Sequence, residues 1–146
     1  MSSEDGFIQQ FNITGGDFGK AGMVSTKVKE ILQEIGIDPA VIRRAAIAIY
    51  EAEMNIVMYA DCGKLTLNIT PELMHLKLED RGQGIENIEM AMQEGFSTAT
   101  DEMREMGFGA GMGLPNIKRN ADELTIHSES GVGTTLDIIF RLNQKK

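Results

Sequence analysis

Apolar side chains recur along this chain with two different periods, and each change of period marks out an element. From about Gly22 to Ile35, the residues Val28, Ile31, Leu32 and Ile35 fall at i, i+3, i+4 and i+7, which is one face of a helix, and Gly36 supplies a stop. Asp38-Pro39 offers an N-cap and a first-turn proline for a second helix, running to about Ala60. Between Lys64 and Thr70 the period drops to two, with Leu65, Leu67 and Ile69 alternating against polar neighbours, so this segment predicts a strand. Pro71-Glu72 breaks it, and Leu73 to Asp80 reads as the returning strand of a hairpin. Phe7 to Ile13 reads as an opening strand closed by Gly15-Gly16. A short helix is expected near Asn87–Gln93, followed by a mobile loop over the glycine- and methionine-rich stretch Glu94–Gly113. A further helix should begin about Leu114-Pro115 and run to about Asp122, with Leu124–Glu129 and Thr134–Leu142 pairing across Ser130-Gly-Val-Gly133. This order of elements predicts an α+β two-layer sandwich: a mixed, mostly antiparallel sheet with helices on one face.

Composition narrows the setting. The 146 residues fit one domain, 1–146, with 42% hydrophobic content. No apolar run approaches the roughly 20 residues that cross a bilayer, and Met1-Ser-Ser-Glu-Asp-Gly6 is too polar and acidic for a signal peptide. Cys62 is the single cysteine, so no internal disulfide forms and a cytoplasmic setting is expected. The net charge of −8 argues against nucleic acid or anionic membrane as a general partner. Any phosphate must be held locally, by oriented N–H groups and a cation.

Three short segments carry candidate chemistry. The helix that includes Ala45 to Ala60 is apolar almost throughout, yet Glu51, Glu53 and Asn55 interrupt it. Glu51 and Asn55 are four residues apart and stack on one face, while Glu53 points elsewhere. Polar groups in an apolar helix cost on the order of 2–7 kcal/mol if unpaired, and more if charged, so they should face a polar cavity or find partners. One reading gives Asn55 a Mg²⁺ through its side-chain oxygen and makes Glu51 a general base for an attacking hydroxyl or water. The other is a helix grazing the surface with both residues solvated.

In Leu76-Lys-Leu-Glu-Asp80 the alternation puts Asp80 on the core face with Leu76 and Leu78. A buried carboxylate that accepts from an exocyclic amine would select adenine over guanine, and Gly82 and Gly84 allow a turn close to a ligand. A capping Asp at a strand-to-helix turn explains the same residues. The third segment, Gly107-Phe-Gly-Ala-Gly-Met-Gly113-Leu114, sets glycines directly before a helix. A helix N-terminus with small residues before it lets phosphate approach free N–H groups. The spacing is not that of a P-loop, and the glycines come too late in the chain for a dinucleotide-binding motif. The bland alternative is a flexible loop.

Other residues say less. The loop Glu94–Phe108, with Ser97, Thr98, Thr100 and Arg104, looks like a lid. Lys118 and Arg119 are available to phosphate, and Thr134-Thr135 stands where it would back an adenine site. His75 and His127 lack metal-ligand spacing.

Arriving in order and at element boundaries, these motifs resemble the GHKL, or Bergerat-fold, ATP-binding domains of gyrase, a heat-shock chaperone, histidine kinases and mismatch-repair ATPases. Glu51–Asn55 resembles that family's N box, Asp80–Gly84 with Ile85 its first glycine box, and Gly109-Ala110-Gly111-Met112-Gly113-Leu114 its second. Thr134-Thr135 resembles the closing Gly-x-Gly-Thr-Thr segment. The length is expected to place the chain with the stand-alone serine/threonine kinases of bacterial partner-switching systems, which are related to anti-sigma factors and the stressosome's switch kinase. Gly95-Phe-Ser-Thr98 and Gly111-Met-Gly-Leu-Pro115 are similar to that switch kinase.

The resemblance implies Mg²⁺ and ATP as cofactors and phosphorylation of a serine or threonine on a small antagonist-type (STAS-like) domain. A sigma factor or downstream phosphatase would be a further partner, and a homodimer fits the anti-sigma type. It implies Glu51 as base, Asn55 as Mg²⁺ ligand and Asp80 as adenine reader, with Gly82, Gly84, Ile85, Gly109 to Leu114 and Thr135 around the nucleotide. The competing reading is a regulatory module, or an anti-sigma factor, that traps a partner according to nucleotide state and transfers nothing.

Overall fold

The computed structural model describes residues 6–82, 84, 92 and 113–142. The expected helix near Asn87–Gln93 (Met92 apart), the lid and the glycines before Gly113 lie outside them.

Strand β1 (Phe7–Thr14) is followed by a 3-10 turn at Phe18–Lys20, then helices α1 (Met23–Ile35) and α2 (Pro39–Tyr59). Strands β2 (Ala60–Ile69) and β3 (Leu73–Gly82) form the central hairpin. Helix α3 (Gly113–Asn120) precedes β4 (Glu123–Glu129) and β5 (Gly133–Arg141). The Asp38 side chain accepts from the Ala40 N–H at 2.9 Å, with Pro39 in the first turn, as the sequence requires. Gly36 closes α1, its N–H donating to the carbonyls of Leu32 and Gln33.

The five strands run in the order β1-β2-β3-β5-β4. All pairings among them are antiparallel, so the α+β sandwich stands while the expected mixed character is corrected. The β1–β2 pair is joined through helices α1 and α2, and the β2–β3 and β4–β5 pairs by short turns. Strand β2 also begins four residues earlier than its pattern suggests. Ala60-Asp-Cys-Gly63 lacks alternation, but it is drawn into the ladder by Thr14 on one side and Arg81 on the other, across an irregularity between Ala60 and Cys62. Sheet context overrides a weak local preference here.

One face of the sheet carries the core. Leu65, Leu67, Ile69, Met74, Leu76, Leu78, Leu136, Ile138 and Phe140 are buried on it, under Val28 and Leu32 of α1, Ala45, Ala48, Ile49 and Ala52 of α2, and Leu114 and Ile117 of α3. Helix α2 lies between α1 and α3 and packs on both. Its small alanines let the helix sit close to the sheet, and its flanks are left to the two other helices. No helix among the described residues is long and apolar enough to cross a membrane.

Candidate nucleotide site between α2, α3 and the sheet end

A helix turns 100° per residue, so Glu51 and Asn55 lie about 40° apart, whereas Glu53 is rotated about 200° from Glu51. The three polar residues of α2 therefore serve its two flanks. Glu53 faces α1 and is 2% exposed. Its carboxylate accepts from the backbone N–H groups of Ser25 (2.9 Å), Gly22 (3.1 Å) and Val24 (3.2 Å). Helix α1 has no side-chain cap of its own, so α2 supplies one, against the positive end of the α1 dipole. Sequence reasoning set Glu53 aside. The available signal was an uncapped helix start, Ala21-Gly22-Met23-Val24, preceding a helix with one acid too many.

Glu51 and Asn55 are half-buried and face α3. The first residue of that helix, Gly113, comes so close that a β-carbon there would stand 3.2 Å from the Asn55 side-chain oxygen and 3.7 Å from a Glu51 carboxylate oxygen. Two of the three sequence segments thus meet, with Gly113 as the contact. Leu114, one residue on, is buried and anchors the helix start to the core. A residue the sequence reading missed joins them: the Asn116 amide donates from Nδ2 to Glu51 Oε2 at 3.1 Å. Lys118 and Arg119, considered for phosphate, lie in the last turn of α3. There they complement the negative end of its dipole, and Arg119 donates to Asn116 Oδ1 at 2.8 Å.

Asp80 stands at the end of the core face of β3. In register across the sheet lie Gly63 of β2, Asp80, Thr134 of β5 and Ser128 of β4. This polar row continues the apolar rows of Leu65–Leu78–Leu136–Ile126. Burial pushes the Asp80 carboxyl above the usual aspartate range, and an N–H bond from Thr134 at 3.2 Å partly offsets this. The Ser128 and Thr134 hydroxyls bond each other at 3.0 Å. Thr135 was the expected neighbour of the adenine site, but it pairs with Glu79 and so points to the opposite face. Thr134 is the threonine beside Asp80, because alternation from the buried Leu136 puts position 134, not 135, on the core face.

Gly82 and Gly84 bring the chain end of β3 against its surroundings. A β-carbon at Gly82 would lie 2.8 Å from the Tyr59 carbonyl oxygen; at Gly84 it would lie 2.5 Å from that of Glu129, with φ at +76°. Gly84 therefore has both a conformational and a steric reason to be glycine. Ile85, Gly109, Ala110, Gly111 and Met112 lie outside the described residues, as does Arg104. His75, which lacks metal-ligand spacing, contacts Asp137 Oδ1 at 2.7 Å. A groove of about 550 Å³ beside Met23, Thr26, Lys27, Glu30 and Tyr50 shares no residue with this site.

Residues 20–140 match the model of the histidine kinase-like ATPase domain. The chain is similar to "Serine/threonine-protein kinase RsbT" of Bacillus subtilis, at 31% identity over 115 residues, covering 76% of this chain and 80% of that protein. It is also similar to "Anti-sigma F factor" of Anoxybacillus flavithermus, at 31% identity over 121 residues, covering 83% of this chain and 72% of the relative. Among solved structures, the RsbU and RsbW domains of Rv1364c from Mycobacterium tuberculosis share the fold, with a TM-score of 0.61 at 19% identity. That match covers 94% of this chain and 33% of the other, so this chain spans about a third of that structure. With most of its length matched, the chain belongs to the histidine kinase-like ATPase domain family, the ATP-binding fold that the three sequence segments outline.

Proposed function

We propose that this chain is a Mg²⁺- and ATP-dependent serine/threonine kinase of a partner-switching pair, acting on a small antagonist-type (STAS-like) domain. The observation that carries this reading is the meeting of Glu51 and Asn55 on one flank of α2 with the first turn of α3. A carboxylate and an amide oxygen stand side by side where a glycine lets the start of a helix come close to both. Among the described residues no three His, Cys, Asp or Glu side chains cluster as metal ligands. A cation held here would take one amide oxygen from Asn55 and its other ligands from phosphate and water, a donor set that suits Mg²⁺. Bound there, the ion would neutralise phosphate charge.

The chain's own residues supply the rest. Asp80, with the Thr134 N–H behind it, presents a carboxylate oxygen to the exocyclic amine of adenine. The free N–H groups at the start of α3 favour a phosphate anion. Glu51 takes the proton of the attacking hydroxyl as its oxygen bonds to the γ-phosphorus, and the bond to ADP breaks with its electron pair leaving on ADP. The relative that is named a serine/threonine kinase supports transfer. The relatives named anti-sigma F factors favour a second activity, nucleotide-dependent capture of a sigma factor, on the same scaffold. The deciding experiment is transfer of labelled γ-phosphate to a panel of small antagonist-type domains, with ATP affinity measured by calorimetry with and without Mg²⁺. Glu51→Ala is expected to keep ATP binding and lose transfer. Binding without any transfer by the wild type would leave the capture reading alone.

A further inference from the structure

Asn116 belongs to none of the segments that outlined the site, yet its side chain is the described hydrogen-bond donor to Glu51. We infer that Asn116 is the positioning residue for Glu51, a role that rests on Glu51 being the base. The orientation of the Asn116 amide is fixed from behind. Arg119 Nη2 donates to Asn116 Oδ1 at 2.8 Å, so Nδ2 is the end that faces Glu51 Oε2 at 3.1 Å. The reverse orientation would set an amide oxygen against a carboxylate and an NH₂ group against a guanidinium, unfavourable at both ends. Asn116 and Arg119 are three residues apart on α3, hence on one face. The backbone is tied in too: Asn120 Nδ2 donates to the Asn116 carbonyl at 2.8 Å, and Arg44 of α2 donates to the Asn120 carbonyl at 2.9 Å.

The result is a closed circuit between the two helices. Arg44 near the start of α2 holds the end of α3, while Asn116 nearer its middle holds Glu51 on the fourth turn of α2. A glutamate has three rotatable bonds, and a base is effective only when one oxygen is aimed at the reacting hydroxyl. With Oε2 engaged by Asn116, Oε1 is the oxygen left on the Gly113 side, 3.7 Å from where a β-carbon would stand. That is the side on which Asn55 stands.

The test is a double-mutant cycle on the full chain, with single-turnover phosphotransfer, ATP affinity and melting temperature measured for Asn116→Ala, Asn116→Asp, Glu51→Ala and Asn116→Ala/Glu51→Ala. Asn116→Ala should lower the transfer rate about tenfold with ATP affinity and melting temperature unchanged, and should cost nothing further in the Glu51→Ala background. Asn116→Asp should transfer more slowly still, because two carboxylates then face each other. An equal loss in both backgrounds, or a faster Asn116→Ala enzyme, would overturn the positioning role. The side-chain carboxyl ¹³C signal of Glu51 in the nucleotide-free chain should move in Asn116→Ala whatever the activity does; a signal that stays put also overturns it. Should Glu51→Ala transfer at the wild-type rate, the base reading itself falls, which the ¹³C shift distinguishes from a missing contact.

Discussion

Gly113 packs against Asn55 so closely that a β-carbon on it would stand 3.2 Å from the side-chain oxygen of Asn55. That glycine lies at the start of a helix and has no positive φ, so its absent side chain serves the neighbour rather than the backbone. Gly113→Ala should leave folding stability unchanged or raise it by about 0.4–1 kcal/mol, since alanine restricts the unfolded chain and favours a helix. The added methyl must displace the Asn55 amide by a few tenths of an ångström. Affinity for Mg-ATP should therefore fall about three- to tenfold, with affinity for Mg-free ATP less affected. Calorimetry with and without Mg²⁺, beside a melting curve, separates the two effects. Equal losses with and without the metal would place the damage elsewhere than at Asn55.

Asp80 carries the opposite trade. Its carboxyl binds a proton more tightly in the fold than in the unfolded chain, because burial outweighs the Thr134 N–H bond. For an acid with a raised folded value, the stability contribution is present below the unfolded value and is lost as pH rises through the folded one. Asp80→Asn, which keeps an oxygen acceptor for Thr134, removes that dependence. Relative to wild type, the variant should gain stability as pH rises from acid into the neutral range, read as a difference in melting temperature at each pH. ATP affinity should fall about 10–100-fold, the worth of a hydrogen bond to a charged group. A variant that binds ATP as wild type does would end the adenine assignment.

Arg44 ties the end of α3 to α2 and to the sheet. Its guanidinium donates to the Asn120 carbonyl, lies 3.6 Å from Asp122, and sits 5.6 Å from the centroid of the Phe140 ring. The ion pair is partly exposed and contributes little; the helix C-terminal bond and the ring contact matter more. Arg44→Ala should cost about 1–2 kcal/mol and speed amide exchange in α3 ahead of α1. Arg44→Lys, which keeps the charge without the fork, should recover less than half of the loss. Exchange that rises equally in α1 and α3 would contradict this local role.

The legible parts of the chain were those where local period and burial agree. Leu65, Leu67 and Ile69 alternate because one sheet face is buried, and Val28, Ile31 and Leu32 recur because one helix face packs on the core, while Ile35 at the helix end is left exposed. The shared face of Glu51 and Asn55 was readable from helix geometry alone, and the core-facing direction of Asp80 from strand alternation. What stayed hidden required knowing which elements become neighbours. Asn116 is an ordinary polar residue of a short surface helix until α3 is laid along α2. Thr134 and Thr135 are distinguishable only through the parity set by Leu136, which strand alternation would have supplied. The start of β2 at Ala60 comes from pairing partners far along the chain, Thr14 beside Cys62 and Gly82 beside Ala60, and no local pattern encodes them.

Glu53 illustrates how an acid beside a catalytic candidate can serve stability alone. Three backbone N–H groups of the first turn of α1 point at its two oxygens, with Oε2 taking Gly22 and Val24 and Oε1 taking Ser25. Removing the carboxylate leaves those donors buried without an acceptor, each at a cost comparable to a lost hydrogen bond. Glu53→Ala should therefore destabilise the fold by about 3 kcal/mol or more and lower the melting temperature by roughly 6–12 °C. Glu53→Gln keeps one oxygen but turns an NH₂ group toward an N–H donor, so an intermediate loss is expected. None of the described residues at the candidate nucleotide site lies on α1, so ATP affinity measured well below the melting temperature should stay within about twofold of wild type in both variants. Amide exchange at Val24 and Ser25 should accelerate before that of the sheet. If Glu53→Gln melts with the wild type, the capping bonds are not what secures α1; if either variant loses ATP affinity while still folded, α1 and the site are coupled in a way these contacts do not provide.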